Sequence, residues 1–158
     1  EYVRKGTANA FCIVEPKRGR HLIRITQQRK ANDFAETLAI VSKKYKKAKK
    51  IHVVLDNLNT HNLKSLIQRF GRKKAIQIWS RFKVHFTPKH ASWLNQAEIE
   101  INMFSKQCLG NRRIENIDIL AHEAMQWALS MTKKRVVIDW NFTKNKARKV
   151  FKLSRGKN

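Results

Sequence analysis

Acidic residues are scarce in this chain: 11 Asp and Glu stand against 35 Lys and Arg in 158 residues, a formal net charge of +24. A field of that sign attracts polyanions and gains free energy from the counterions they release on binding, so DNA or RNA is the natural partner. Long apolar runs are missing too. The longest, 10–14, is far short of the ~20 residues of a membrane-spanning helix, and no signal peptide is visible. That leaves a membrane out of the expected partners. Cysteine is nearly absent. Cys12 and Cys108 lie far apart without CxxC or Cys/His spacing, which excludes a zinc-ligand set or a disulfide scaffold and suits core thiols in a reducing cytoplasm. No internal repeat, long linker or low-complexity tract divides the chain, and its length fits one core, so residues 1–158 read as one domain. The first residue is Glu1 rather than Met, directly before a strand-like segment, and missing sequence upstream is expected.

What is present is ordinary globular composition, 42% hydrophobic and 29% charged. Residues 7–15 are rich in β-branched and aromatic types and are closed by Pro16 and Gly19. With 21–26 they predict a hairpin. Phe34, Leu38, Val41 and Tyr45 recur at helical spacing, predicting an amphipathic helix over 32–47 capped by Asn32 or Asp33. The β-branched stretch 51–55 suits a buried strand reached by a crossover. Helical spacing resumes at Leu63, Leu66, Ile67 and Phe70, stops near Gly71 and restarts through Ala75, Ile78 and Trp79, before a strand over 82–86. Ser92 can cap a helix whose apolar stripe is Leu94, Ala97, Ile101, Phe104 and Cys108, ending at Gly110. A last helix begins near Asn116 and carries Leu120, Ala124, Trp127, Ala128 and Met131, with a short segment 136–138 and a basic tail beyond it. The order is that of a mixed α/β protein.

In so basic a chain, an acid at a strand end stands out. Asp56 closes the predicted strand 51–55, where open α/β sheets place their sites. The same residue would serve equally as a turn or cap before the next helix, and spacing leaves the two roles about even. Glu98 and Glu100 both fall roughly 80° from the centre of their helix's apolar stripe, on opposite sides. Helical phase does not separate them, and both could be solvated boundary residues. Phosphoryl transfer needs two or three carboxylates converging from separate elements to hold metal ions about 3.5–4 Å apart. Asp56 plus one of these glutamates would supply part of that set.

Asp56-Asn57-x-x-x-His61, followed by Pro88-Lys-His-Ala-Ser92-Trp-Leu-Asn95-Gln-Ala-Glu98 and later Trp140-Asn-Phe-Thr143, resembles the mariner-type DDE transposases, in particular their bacterial insertion-sequence branch. The resemblance implies an RNase H-like mixed sheet flanked by helices. Its second catalytic acid ends a central strand in a DNxxxH motif, and its third lies on a helix in an LNxxE motif. Carried over, these are Asp56 and Glu98, as catalytic metal ligands, with Asn57, His61 and Asn95 in support. The implied cofactor is Mg²⁺, with Mn²⁺ able to replace it. The implied reaction is hydrolysis of a phosphodiester at insertion-sequence ends, then strand transfer. Its partners are double-stranded DNA, both terminal inverted repeats and target, and further copies in a homodimer or higher synaptic complex. The resemblance also implies a bacterial, cytoplasmic, nucleoid-associated setting. Two departures accompany it. The prolines that often flank the leucine-asparagine pair are replaced by Trp93 and Gln96. The family's first aspartate belongs on a strand before the hairpin, and nothing before Thr7 supplies it. The chain is therefore expected to be an N-terminally truncated catalytic domain, without the first strand and without a helix-turn-helix domain, and inactive alone.

Glu15, the only acid on the hairpin, sits at a turn and is expected to be exposed rather than a substitute. Lys43, Lys44, Lys46, Lys47, Lys49 and Lys50 crowd one helix end, either complementing its dipole or binding phosphate. Arg112 and Arg113, Lys133 to Arg135 and the tail from Lys144 offer similar surfaces. Trp79, Trp127 and Trp140 read as core, His85 and His90 as structural, and His21, His52 and His122 suggest no role. Trp93 is ambiguous. Two rivals remain: a non-catalytic basic nucleic-acid-binding module, or another RNase H-like nuclease.

Overall fold

A computed structural model describes residues 6–88, 94–143 and 145–146. Strands β1 (Asn9–Glu15) and β2 (Arg20–Thr26) form the expected antiparallel hairpin, in register from Asn9 opposite Thr26 to Glu15 opposite Arg20. The turn needs Gly19. Its φ is +59°, and a Cβ there would lie 2.6 Å from the carbonyl carbon of Arg135, so both backbone conformation and the neighbouring chain exclude a side chain.

Helix α1 (Ala31–Lys44) buries Phe34, Ala35, Leu38 and Val41 on one face. Neither expected cap is the N-cap. Lys30 is, and Asp33 stands three positions later, where its carboxylate accepts the Lys30 N–H at 2.8 Å. The helix also stops three residues before the predicted end. Arg81 takes over the orphan carbonyls there, donating to Ser42 O, to Tyr45 O at 2.6 Å and to Ala48 O at 3.1 Å. A helix end fixed by a distant guanidinium leaves no local sequence signal.

Strand β3 (Ile51–Leu55) pairs in parallel with β4 (Phe82–Phe86), Ile51 opposite Phe82. Between them run α2 (Leu63–Phe70) and α3 (Arg72–Trp79), separated at Gly71 as the spacing predicted. The expectation of a buried strand is corrected for one face of β3. His52 and Val54 are exposed, Val54 at 52%, because α1, α2 and α3 cover only the opposite face. The side chains of α1, Leu66, Ala75 and Phe82 make that face the first core. Each large apolar side chain buried there contributes about 1.5–3 kcal/mol.

Helix α4 (Ala97–Phe104) runs into a π-helical turn, Ser105–Leu109, closed by Gly110 N–H to Ser105 O at 2.8 Å. The predicted start at Ser92 lies outside the described residues, as do Trp93, His90 and most of the basic tail. Residues 95 and 96 precede the helix, and Ile101 of the predicted apolar stripe is 42% exposed. Helix α5 (Ile117–Lys133) begins where predicted, with Asn116 Oδ1 accepting the Asp118 N–H at 2.7 Å. Its small residues Ala124 and Ala128 join Ile23 of β2, Phe104 and Cys108 in a second core. Trp127 packs edge-on to Phe104 with ring centroids 5.5 Å apart. Trp79 and Trp127 thus line the two cores, and Trp140 lies edge-on to Phe142.

The result is mixed α/β, as expected of an RNase H-like fold, but its sheet is in two parts. Among the described residues β1 pairs only with β2, and β3 only with β4. Between the parts lies a cleft of about 520 Å³, lined by residues 12–15 and 51–55, with Val41 of α1, Tyr45 just beyond it and residues 94–97. Successive residues of a strand point to opposite faces. Four or five in a row lining one cleft mean that the strand edges themselves, with their unpaired backbone groups, face it.

Candidate functional site

Asp56 follows β3 directly, next to Leu55, the last residue of the strand to line the cleft. The Thr87 N–H donates to Leu55 O at 2.9 Å, and Asn57 Nδ2 donates to Thr87 O. These bonds tie the chain after β3 to the end of β4 and fix where Asp56 stands. Asn57 is therefore occupied in holding the loop. The cap alternative for Asp56 fails, because Asn62 is the N-cap of α2 and its Oδ1 accepts the Ser65 N–H at 3.2 Å.

The Asp56 side chain is 41% exposed, yet its Oδ1 is sealed from solvent. His61 Nδ1 lies 2.5 Å away without the alignment of a hydrogen bond, and both His61 nitrogens, Asp56 Oδ1 and Thr60 Oγ1 are buried without hydrogen-bond partners. His61 stacks on Phe34 with centroids 4.4 Å apart. Burial holds its pKa below the ordinary histidine value, Asp56 opposes that, and Arg29 adds to it. Four polar atoms unsatisfied in one spot is unusual in a folded protein.

Glu98 lies in the first turn of α4 and is exposed. Ala97, just before it, lines the same cleft that Leu55 lines. Asn95 Oδ1 accepts the Ala97 N–H at 3.1 Å, so Asn95 shapes the start of the helix. The Cys12 thiol of β1 is pushed up to about 12, first by burial and then by the negative charges of Glu100 and Glu98, so both carboxylates are felt at that strand. Among the described residues no three His, Cys, Asp or Glu side chains are grouped to hold a metal ion. Asp56 and Glu98 carry hard carboxylate oxygens of the kind a divalent cation takes, the first directly after β3 and the second in the first turn of α4.

Glu100 was indistinguishable from Glu98 by helical phase, and the structure separates them. Its side chain has no exposure at all. His21 Nδ1 lies 2.8 and 2.9 Å from its two oxygens, and His21 Nε2 donates to Val136 O at 2.8 Å. The solvated-boundary reading is thus wrong for Glu100, and His21, for which no role was expected, is its partner. Burial raises the Glu100 carboxyl, and His21 opposes that rise. Only the spacing of Glu100 four residues before Phe104 hinted at a shared face, and nothing local pointed to a partner 79 residues away.

Glu15 is also corrected. It is half-buried, accepts the Tyr45 hydroxyl and lies 3.6 Å from Arg20. Of the expected DNA-binding cations, Lys43, Lys44, Lys46 and Lys47 are all exposed, the last two in the turn beyond α1 rather than on it. Arg112 is engaged instead, 2.5 Å from Glu123 and donating to Cys108 O, and Arg113 is exposed. His85 meets His52 across β3 and β4 at 3.1 Å.

Residues 1–121 match the family model of the DDE superfamily endonucleases. The chain belongs to that family. No curated protein and no solved structure matched it. Membership makes this DDE endonuclease domain a catalytic core of nuclease and transposase type whose substrate class is DNA, in keeping with its charge of +24. Among the described residues no helix is long and apolar enough to cross a membrane.

Proposed function

We propose that the chain is the catalytic-core portion of a DNA transposase of the mariner-type, insertion-sequence branch, and that Asp56 and Glu98 are two of its three metal-binding carboxylates. The observation that carries this reading is the Asp56 carboxylate at the end of β3, 41% exposed and held by His61 Nδ1 at 2.5 Å, next to the cleft that Leu55 and the start of the Glu98 helix line. Mg²⁺, or Mn²⁺ in its place, would be held by these two side chains, and when bound it supplies activation of the nucleophile and stabilisation of the leaving oxygen at a phosphodiester. His61 holds Asp56 from behind, Asn57 fixes its loop to β4, and Asn95 shapes the start of α4. Exposed Lys43, Lys44, Lys46 and Lys47 contribute phosphate contacts to double-stranded DNA, terminal inverted repeats first and target second. Pairing of two DNA ends calls for at least two copies of the protein.

The third carboxylate in this reading rides on a strand filling the cleft between β1 and β3, where it would pair with both open edges and join the two sheets. Residues 1–158 alone then hold metal weakly and cleave poorly. The direct test is paramagnetic broadening by Mn²⁺ in NMR spectra of the chain. Broadening centred on Asp56 and Glu98, and lost in Asp56→Ala, is the expected result; no broadening at either carboxylate would reject the site. Robust Mg²⁺-dependent cleavage by residues 1–158 on DNA carrying the element's ends, lost in Asp56→Ala, would reject the incomplete site. The high charge also supports a second reading, a basic DNA-binding module without catalysis. For that module Asp56→Ala leaves DNA affinity unchanged or slightly higher and divalent metal is irrelevant.

A further inference from the structure

The buried acid–histidine pair next to the candidate site has a role that stability does not explain. Helix α4 spans eight residues, about 12 Å; the side chain of its N-cap, Gln96, makes no cap bond, and Asn95 Oδ1 accepts the Ala97 N–H there instead. Only Glu100 and Phe104 are buried along it. Four residues apart, they form one seam, and Glu98 lies about 200° around the helix from Glu100. Phe104 packs in the apolar second core, where contacts are non-directional. Glu100 is the directional half. Both its oxygens face His21 Nδ1, while His21 is held on β2 by Nε2 to Val136 O and by its backbone N–H to Thr132 Oγ1 at 2.9 Å. The chain from β2 to α5 to α4 is thereby pinned at one imidazole.

Such a pair is a costly way to bury a seam. Replacing a buried hydrogen-bonded ion pair by apolar side chains of similar volume is often neutral or stabilising. What the apolar replacement lacks is a fixed angle. We propose that Glu100, through His21, is a positioning residue for Glu98: it sets the roll and height of α4 so that Glu98 is presented beside the cleft. This rests on the reading of Glu98 as a metal ligand and deepens it, in the way that the outer partners of metal ligands generally set ligand orientation.

Two variants separate positioning from packing. Glu100→Gln can keep one directional bond, its amide donating to Nδ1 while Nε2–H still donates to Val136 O. The double change His21→Leu with Glu100→Leu fills the space but removes direction. Residual dipolar couplings of the α4 amides, measured without metal, should be unchanged in Glu100→Gln and altered in the double variant, even where the double variant melts at the same or a higher temperature. In a Mn²⁺ titration, Glu100→Gln should stay near the parent affinity. The double variant should bind about tenfold more weakly, the low end of the loss seen when an outer partner of a metal ligand is removed, with broadening kept at Asp56 and lost at Glu98. Unchanged couplings in the double variant overturn the proposal whatever the metal does. Altered couplings without any Mn²⁺ broadening in the parent chain leave the pair as the determinant of α4's orientation and reject the metal reading of Glu98 instead.

Discussion

Two acid–histidine pairs sit in this protein, and their difference separates architecture from chemistry. In His21–Glu100 both side chains have no exposure, and every polar atom of the ring and carboxylate meets a partner. In His61–Asp56 the distance is as short, 2.5 Å, yet Oδ1 and both ring nitrogens are left without hydrogen bonds while the carboxylate side chain is 41% exposed. A saturated pair has no capacity for a ligand. An unsaturated one beside an open strand edge does. The same two residue types therefore serve as a fastener in one place and as part of a candidate binding site in the other.

Breaking the saturated pair should have the largest effect. Glu100→Ala leaves His21 Nδ1 facing a cavity, and removing one partner of a buried pair costs about 3–5 kcal/mol; urea unfolding should show most of that loss. A cost under about 1 kcal/mol would place Glu100 in water-accessible surroundings and dissolve the contrast. Gly19→Ala probes the same fastener from the far side. Its Cβ would press on Arg135 and on Val136, whose carbonyl accepts from His21. With the added strain of φ +59°, a loss of about 1–3 kcal/mol is expected.

Asp56→Asn should behave in the opposite way. The carboxylate is 41% exposed and the neutral amide can still face His61, so stability should stay within about 1 kcal/mol of the parent. Mn²⁺ affinity should nonetheless drop at least about tenfold, equivalent to about 1.4 kcal/mol. A variant that lost several kcal/mol of stability instead would make Asp56 a second fastener.

The contrast was only partly legible in the sequence. The hairpin, α2, α3, β4 and α5 followed from spacing and turn residues, because those signals are local. Asp56 at the end of β3 followed from the same logic. Three features did not. The π-helical turn after Phe104 departs from the 100° spacing used to project the stripe, although Cys108 still joins Phe104 in the second core. The burial of Glu100 depends on a histidine on another strand. The division of the sheet depends on which strand edges meet, and strand composition carries no information about that. The family motifs identified Glu98 as the candidate ligand, and the buried partner of Glu100 gives the physical reason the two glutamates differ.

The smallest expected effect tests whether Glu98 faces β1 as the electrostatics imply. The thiolate is the reactive form of cysteine, and with its pKa pushed up to about 12 the Cys12 thiol should alkylate far more slowly than a free thiol at pH 8. Burial is the main cause, so no single charge change restores ordinary reactivity. Removing a nearby negative charge still favours the thiolate. In a Cys108→Ala background, Glu98→Gln should therefore speed alkylation of Cys12 by maleimide modestly, and Asp56→Asn, whose charge is not among the causes of the Cys12 shift, should leave the rate alone. Equal rates in all three chains would mean that the Glu98 carboxylate turns away from β1, and the two carboxylates would then share a cleft without converging on it.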